Sequence, residues 1–290
     1  MGLRLATRGS ALALAQAGRV AERLPDSVLV EVSSDGAAGD KSRFVRGVEA
    51  ELLEGRAEVG IHSAKDLPAD MPDGLVIAAV AEREERADAW IGPGSSLADV
   101  PEGARVGTAS LRRRAQLLAA RPDLRVTELH GNVDTRLRKL EEGSLDAIVL
   151  AVAGLRRLGR ESEASFLVDE AEMTPAAGQG ALALQARGDD GATLEELNEI
   201  ADADAATELA AERTVVVGLD ASCATPLGVS ARREGDRLAI AAFVGLPDGS
   251  QWIRDAIEGD AADPAAAGRE LAERLIAAGA EEILAAAEAA

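Results

Sequence analysis

The stretch Val59-Gly60-Ile61-His62-Ser63-Ala64-Lys65-Asp66-Leu67-Pro68 decides how the chain is read. Ala57 to Ile61 is a short apolar run that follows a helix, and Gly55 stands where that helix needs a left-handed cap. The run reads as a buried strand, and it opens into a loop with Lys65 and Asp66 at its mouth. In open α/β sheets ligands bind at that edge. A carboxylate beside an ammonium there suits acid–base or charge-stabilising work. Taken alone, a Lys–Asp dipeptide is more often a surface ion pair in a turn. The rest of the chain overturns that reading.

Outward from this segment, short apolar runs alternate with helical stretches from Leu3 to about Leu184, the signature of an α/β fold with a mainly parallel sheet. Strands are expected at Leu3–Ala6, Val28–Val32, Glu58–Ile61, Leu75–Val80, Arg105–Gly107, Val126–Leu129, Ala147–Leu150 and Ala181–Gln185. Helices are expected over Ser10–Leu24, Phe44–Glu54, Ala109–Ala120 and Val133–Glu142. Charged Ala81 to Asp88 and the flexible Met173 to Gly180 read as two crossings between similar halves, which predicts two lobes with a hinge. After Ala203 the pattern becomes a long helix, three alternating strands (228–232, 238–244, 250–257) and an Ala/Glu-rich helix from about Pro264. The expected division is 1–82 with 179–200 as one lobe, 83–178 as the second, and 201–290 as a smaller α+β domain.

Cations gather where strands meet helices. Ala6-Thr7-Arg8-Gly9-Ser10, Gly107-Thr108-Ala109-Ser110-Leu111-Arg112-Arg113, His130-Gly131-Asn132-Val133-Asp134-Thr135-Arg136 and Ala151-Val152-Ala153-Gly154-Leu155-Arg156-Arg157 all follow this form. Amide N–H groups and the helix dipole favour an anion at such a junction, and arginine adds a fork that matches a carboxylate or phosphate. Thr108 to Lys139 holds eight cationic and three anionic residues in a chain of net charge −20. One arginine-bearing helix is usually a solvated face; four repeated junctions point to a multiply charged anionic ligand. No Gly-x-x-x-x-Gly-Lys loop and no Gly-x-Gly-x-x-Gly after a strand is present, so nucleotide readings lack their motifs.

Composition sets further bounds. With 51 acidic against 31 basic residues, three of them lysine, and no tyrosine, the surface suits concentrated salt. At molar salt the screening length is about 3 Å, so direct contacts must hold the anion. Hydrophobic residues at 47% exclude a disordered acidic chain. So negative a chain is a poor partner for nucleic acid, and Arg112-Arg113-Arg114 lacks interleaved aromatics. Met1 to Gly18 superficially resembles an export signal, but Gln16 and Arg19 interrupt it. No run reaches the roughly 18 apolar residues of a membrane span. A soluble, cytoplasmic monomer is expected. Cys223 is the sole cysteine, which forbids an intrachain disulfide, and two histidines leave no zinc spacing, so no metal is expected. A lone cysteine is most often an inert buried residue; Cys223, in the small-residue loop Ala221-Ser222-Cys223-Ala224-Thr225-Pro226, could instead present a thiolate.

Together these strings resemble the porphobilinogen deaminase (hydroxymethylbilane synthase) family. Leu5 to Ser10, Val59 to Pro68, Val106 to Arg113, Gly131 to Leu137, Leu150 to Leu155, Gly178-Gln179-Gly180 and Cys223-Ala224-Thr225-Pro226 occur in the family's order across nearly the whole chain. The resemblance implies a transferase that joins four porphobilinogens head to tail with loss of ammonia to give hydroxymethylbilane. It implies two lobes like those of periplasmic binding proteins and transferrins. It also implies a dipyrromethane cofactor on Cys223, held with Lys65, Ser110, Arg112 and Arg113. By the same resemblance Asp66 is catalytic, and Arg8, Ser10, Thr108, Arg136 and Arg157 hold substrate carboxylates. His130 stands where the family commonly has arginine, which implies a pH-dependent contact there. Ser33 to Lys41 is short and lacks the family's Thr-x-Gly-Asp, and Ala221-Ser222 replaces Gly-Gly before the cysteine. The competing reading is a two-lobed binding protein for a small polycarboxylate.

Overall fold

The computed structural model describes residues 2–32, 41–222 and 225–289. The expectations placed on Cys223 and on the loop from Ser33 to Asp40 lie outside the described residues. The chain opens with β1 (Arg4–Arg8), α1 (Ala11–Ala21), β2 (Val28–Val32), α2 (Lys41–Leu53), β3 (Val59–Ser63) and β4 (Leu75–Arg83). It then builds β5 (Asp88–Ile91), β6 (Arg105–Gly107), α3 (Leu111–Ala120), β7 (Arg125–Thr127), α4 (Val133–Glu141), β8 (Ala147–Ala151), α5 (Val152–Arg157) and β9 (Phe166–Val168). β10 (Ala181–Arg187) and α6 (Gly191–Asn198) follow. The last elements are α7 (Ala203–Gly218), β11 (Leu227–Glu234), β12 (Arg237–Gly245), β13 (Trp252–Asp260), α8 (Pro264–Ala277) and α9 (Ala280–Glu288).

Two compact units result, Met1–Glu84 with Gly180–Ala206, and Glu85–Gln179 with Thr207–Ala290. Each holds a five-stranded mixed sheet. The first runs β2-β1-β3-β10-β4 and the second β7-β6-β8-β5-β9. In both, three parallel strands are followed by one strand antiparallel to its neighbours, β10 in the first and β5 in the second. The shared order makes the two sheets structural counterparts of one another.

Strand alternation distributes the side chains. In the first unit Leu5, Val59, Ile61, Leu182 and Leu184 meet Ala17 and Val20 of α1 and Leu197 of α6. Ala6 on the opposite face packs with Val48 and Leu52 of α2. In the second, Trp90, Val106 and Val149 enclose Leu117 of α3, while Ala89, Ile148 and Leu150 pack on Leu137 of α4 and Leu155 of α5. Helices on both faces explain why the strands read as near-continuous apolar runs. Three helix starts carry the side-chain caps that their sequences offer: Ser10, Ser110 and Asn132 accept from the backbone N–H three residues on.

The C-terminal sheet β11-β12-β13 packs against α7, α8 and α9 around Val229, Leu238, Ile240, Val215 and Leu271. It is tied into the second unit by buried polar contacts. The fully buried Glu212 of α7 accepts from Gly178 N and Ala231 N, both at 2.7 Å. Its neighbour Glu208 accepts from Arg86 Nη2 at 2.9 Å and Arg233 N at 3.0 Å. At Gly228 a Cβ would lie 2.6 Å from Thr174 O, so only glycine lets β11 approach that segment.

Three features depart from the sequence reading. β4 runs to Arg83 and Asp88 opens a further strand, so half of the charged stretch 81–88 is sheet. β9 and α6 are elements that no periodic pattern marked. The terminal helix is two helices, because Gly279 adopts φ 98° between them.

Candidate active site

In the first unit the parallel strands β1 and β3 end side by side. Arg8 is the last residue of β1, and Ser10 caps α1 directly after it. β3 ends at Ser63, and Ala64–Asp66 form a single 3-10 turn carrying Lys65 and Asp66. Arg8, Gln16, His62, Ser63 and Asp66 line one pocket with Ala13, Val45 and Ile61. Gln16 Nε2 donates to Ser63 Oγ at 2.7 Å, which fixes the pocket's hydroxyl. Burial lowers the pKa of Arg8, and the Asp66 carboxylate beside it works in the opposite direction. Guanidinium and carboxylate thus act on each other across the pocket. Gln16 and His62 carried no sequence signal beyond their residue types.

In the second unit the parallel strands β6, β7 and β8 end along one edge. Thr108 follows β6 and is buried; its Oγ1 accepts from Ser110 N at 3.2 Å, and Ser110 caps α3. Asn132 caps α4, which carries Arg136, and Arg157 ends α5 just after β8. The Nε atoms of Arg8, Arg136 and Arg157 are buried without a hydrogen-bond partner of their own, although each side chain makes other interactions.

Arg112 and Arg113, which the resemblance gives as cofactor-binding, have partners within the unit. Both are buried on the inner side of α3 around the fully buried Asp88 of β5. Arg112 donates to Asp88 Oδ2 at 2.7 Å and to Thr174 O at 2.7 Å. Arg113 Nη2 donates to Asp88 Oδ1 at 2.7 Å and its Nη1 to Val149 O at 3.0 Å. Gln179 Nε2 also donates to Oδ1, at 2.9 Å, and to Arg86 O. Burial by itself would raise the Asp88 pKa, but the charges and hydrogen bonds of the two guanidiniums outweigh it and hold the carboxyl far below its usual range. Two guanidiniums against one carboxylate leave a buried net charge of one positive unit at the first turn of α3. Asp88 and Gln179 were not legible as site residues, because their partners lie far away in sequence.

His130 lies just beyond β7, mostly exposed, with Nε2 3.1 Å from Glu128 Oε2. An exposed pair of this kind contributes little. Replacing His130 with alanine should therefore change the apparent substrate affinity by less than about twofold; a tenfold rise in steady-state KM would place the ring on substrate. Beside Cys223, Ser222 N donates to Thr225 Oγ1 at 2.8 Å and Thr225 N to Ser222 O at 3.1 Å. Among the described residues, no group of three His, Cys, Asp or Glu could hold a metal ion, and no helix is long and apolar enough to cross a membrane.

Two α/β units with matching sheets each carry cationic and hydroxyl groups at the ends of their parallel strands, an arrangement that suits anions, and Asp66 lines the pocket of the first. Residues 3–195 match the dipyromethane cofactor binding domain of porphobilinogen deaminase, and residues 206–277 match its C-terminal domain. The porphobilinogen deaminase of Trichlorobacter lovleyi is 41% identical, covering 97% of this chain and 95% of its own. That of Pelotomaculum thermopropionicum is 44% identical over 91% and 83%, and that of Campylobacter concisus 41% over 99% and 98%. A YaeC-family lipoprotein from Enterococcus faecalis is similar in structure, with TM-score 0.41 and 15% identity over 68% of this chain and 90% of that one. The chain belongs to the porphobilinogen deaminase family. It is a transferase of tetrapyrrole biosynthesis that condenses porphobilinogen with loss of ammonia to hydroxymethylbilane, and its cofactor is dipyrromethane. A solute-binding reading leaves the match over 206–277 without an explanation.

Proposed function

We propose that Asp66 is the carboxylate that carries the condensation, with Arg8 and Ser10 on substrate carboxylates beside it. The single observation behind this is the shared pocket of Arg8, Ser63 and Asp66 at the ends of β1 and β3. Loss of ammonia from porphobilinogen leaves an electron-poor azafulvenium cation, which the free α-carbon of the preceding ring attacks. A fixed carboxylate stabilises that cation and can take the proton released when the new ring regains aromaticity. Arg8 prevents the substrate's own carboxylates from competing for the position, because it offers them a bidentate fork. Lys65, next to Asp66 on the 3-10 turn, adds a second cation at the same edge.

A dipyrromethane bears acetate and propionate groups, and the residues of the second unit suit it. Ser110 and the first amides of α3 offer donors, and the Asp88–Arg112–Arg113 cluster adds positive potential there without freeing either guanidinium. Thr108 fixes the turn into that cap. Arg136 and Arg157, with buried guanidinium atoms at the same strand edge, take further carboxylates of the growing chain. When bound, the cofactor supplies the free α-carbon to which the first porphobilinogen is joined. Cys223 is the attachment point in this reading, as the only thiol of the chain. That thiol and the acidic composition also support a monomer in a reducing cytoplasm, working in concentrated salt. Steady-state turnover of an Asp66 variant carrying the cofactor tests the proposal directly.

A further inference from the structure

The strand that delivers Asp66 carries a second polar device on its α2 face. Val59 and Ile61 of β3 point into the α1–α6 core, so Gly60 and His62 share the other face. Gln185 of β10 lies opposite Gly60 in the antiparallel ladder and shares that face. All three groups of this device are buried: His62 is 6%, Gln185 0% and Glu49 of α2 4% exposed. Gln185 Nε2 donates to Glu49 Oε1 at 3.1 Å, so Oε1 is the atom of that amide left to act on the His62 ring, on which Gln185 is an influence. Gln185 Oε1 and His62 Nε2 are both buried without a hydrogen-bond partner. Nε2 is the inner edge of the ring, since a Cβ on Gly60 would lie 3.0 Å from it and 2.7 Å from Val48 Cγ1. The ring also lines the pocket shared by Arg8, Gln16, Ser63 and Asp66.

An imidazole whose inner nitrogen faces an amide oxygen keeps its one proton there. The other nitrogen then carries a lone pair. We propose that His62 presents an unprotonated Nδ1 to the pocket as the neutral acceptor for a pyrrole N–H, with Glu49 and Gln185 as positioning residues that set its tautomer. Arg8 is a donor only, so the acceptors of this pocket are the Asp66 carboxylate, the Gln16 and Ser63 side-chain oxygens, and Nδ1, which is the ring acceptor among them. The division is useful, because a neutral acceptor binds a pyrrole N–H without competing with Asp66 for the cation. Burial, the largest influence, pushes the His62 pKa down to about 4; Gln185 and Asp66 oppose it and Arg8 adds to it, so the ring stays neutral at the pH of turnover. The charged groups that face it are Arg8 from β1, Asp66 from the 3-10 turn and Glu49 from α2. The inference rests on Asp66 marking the reaction pocket.

Two histidines make the test direct. Protein labelled with 15N-histidine shows two imidazoles, assigned by comparing His62→Gln with His130→Gln. The expected spectrum has His62 as the Nε2–H tautomer, with no titration above about pH 5. Glu49→Gln lets the Gln185 amide turn over and should yield mixed tautomers. The ligand arms compare cofactor-free protein, cofactor-loaded protein, and loaded protein with a porphobilinogen analogue whose aminomethyl group is replaced by methyl. An Nδ1 shift on loading assigns the N–H to the cofactor ring, and a shift only with the analogue assigns it to substrate. His62→Gln, which retains an inner polar group and removes the pocket atom, should raise KM about tenfold through the lost hydrogen bond. An Nδ1–H tautomer, or an Nδ1 resonance unmoved in every arm, overturns the proposal. Loss of turnover in an Asp66 variant alongside an unmoved Nδ1 would refute this inference alone and leave the role of Asp66 standing.

Discussion

Replacing Asp66 with asparagine is expected to slow turnover about 10²–10³-fold, with folding and cofactor content unchanged. The amide keeps the size of the side chain and removes the negative charge. Asp66 stands on a short turn at the surface end of β3, and the core beneath that strand is built from Val59 and Ile61. The substitution therefore spares the packing. What it removes is the charge that offsets the azafulvenium cation in a pocket where Arg8 is already positive. The loss should fall on kcat and leave KM nearly unchanged, because the cation exists only after ammonia departs. Near-normal kcat in cofactor-loaded Asp66→Asn would show that another group carries this role.

Asp88→Ala should lower stability by about 3–5 kcal/mol, because it leaves two guanidiniums buried without a counter-charge. A loss of that size corresponds to a fall in Tm of roughly 6–20 °C for a chain of this scale. Asp88→Asn keeps a single oxygen, enough for Arg112 or for Arg113 with Gln179 but not for all three, and should lose less than alanine. The pH dependence follows from the sign of the shift. The folded carboxyl is held far below its unfolded value, so its contribution is complete above that unfolded value and is lost as pH falls toward the folded one. Wild-type protein should lose this part of its stability only in strong acid, while the alanine variant lacks it at every pH. Thermal melts across that range check both statements. Equal Tm values for wild type and Asp88→Ala at neutral pH would mean that the cluster adds no net stability.

Much of the fold was legible because burial on both faces writes central strands as apolar runs, as in Ala147 to Ala151 and Ala181 to Ala186. Ser10, Ser110 and Asn132 cap helix starts, because each satisfies a free backbone N–H. β5 and β9 escaped notice because four and three residues are too few to show a period, and β5 begins with a charge. Asp88 is acceptable there only because α3 folds back to bring Arg112 and Arg113 onto it. That is a long-range fact, invisible to any local pattern. The same holds for His62, whose neighbours Gln185 and Glu49 come from β10 and α2. The segment around Lys65 and Asp66 was legible as a strand mouth, while its paired charges took their meaning from the cationic junctions elsewhere in the chain. That Asp88 engages Arg112 and Arg113 is revealed only by tertiary packing.

The central claim is that this chain works through a dipyrromethane attached to Cys223. The mass of the intact, active protein tests it most directly. The account requires a mass above that of the bare chain by two linked pyrrole units, with Cys223→Ser protein at the bare mass and inactive, since a hydroxyl is a far weaker nucleophile than a thiolate. An active preparation at the bare-chain mass, or an active Cys223→Ser protein, would contradict it.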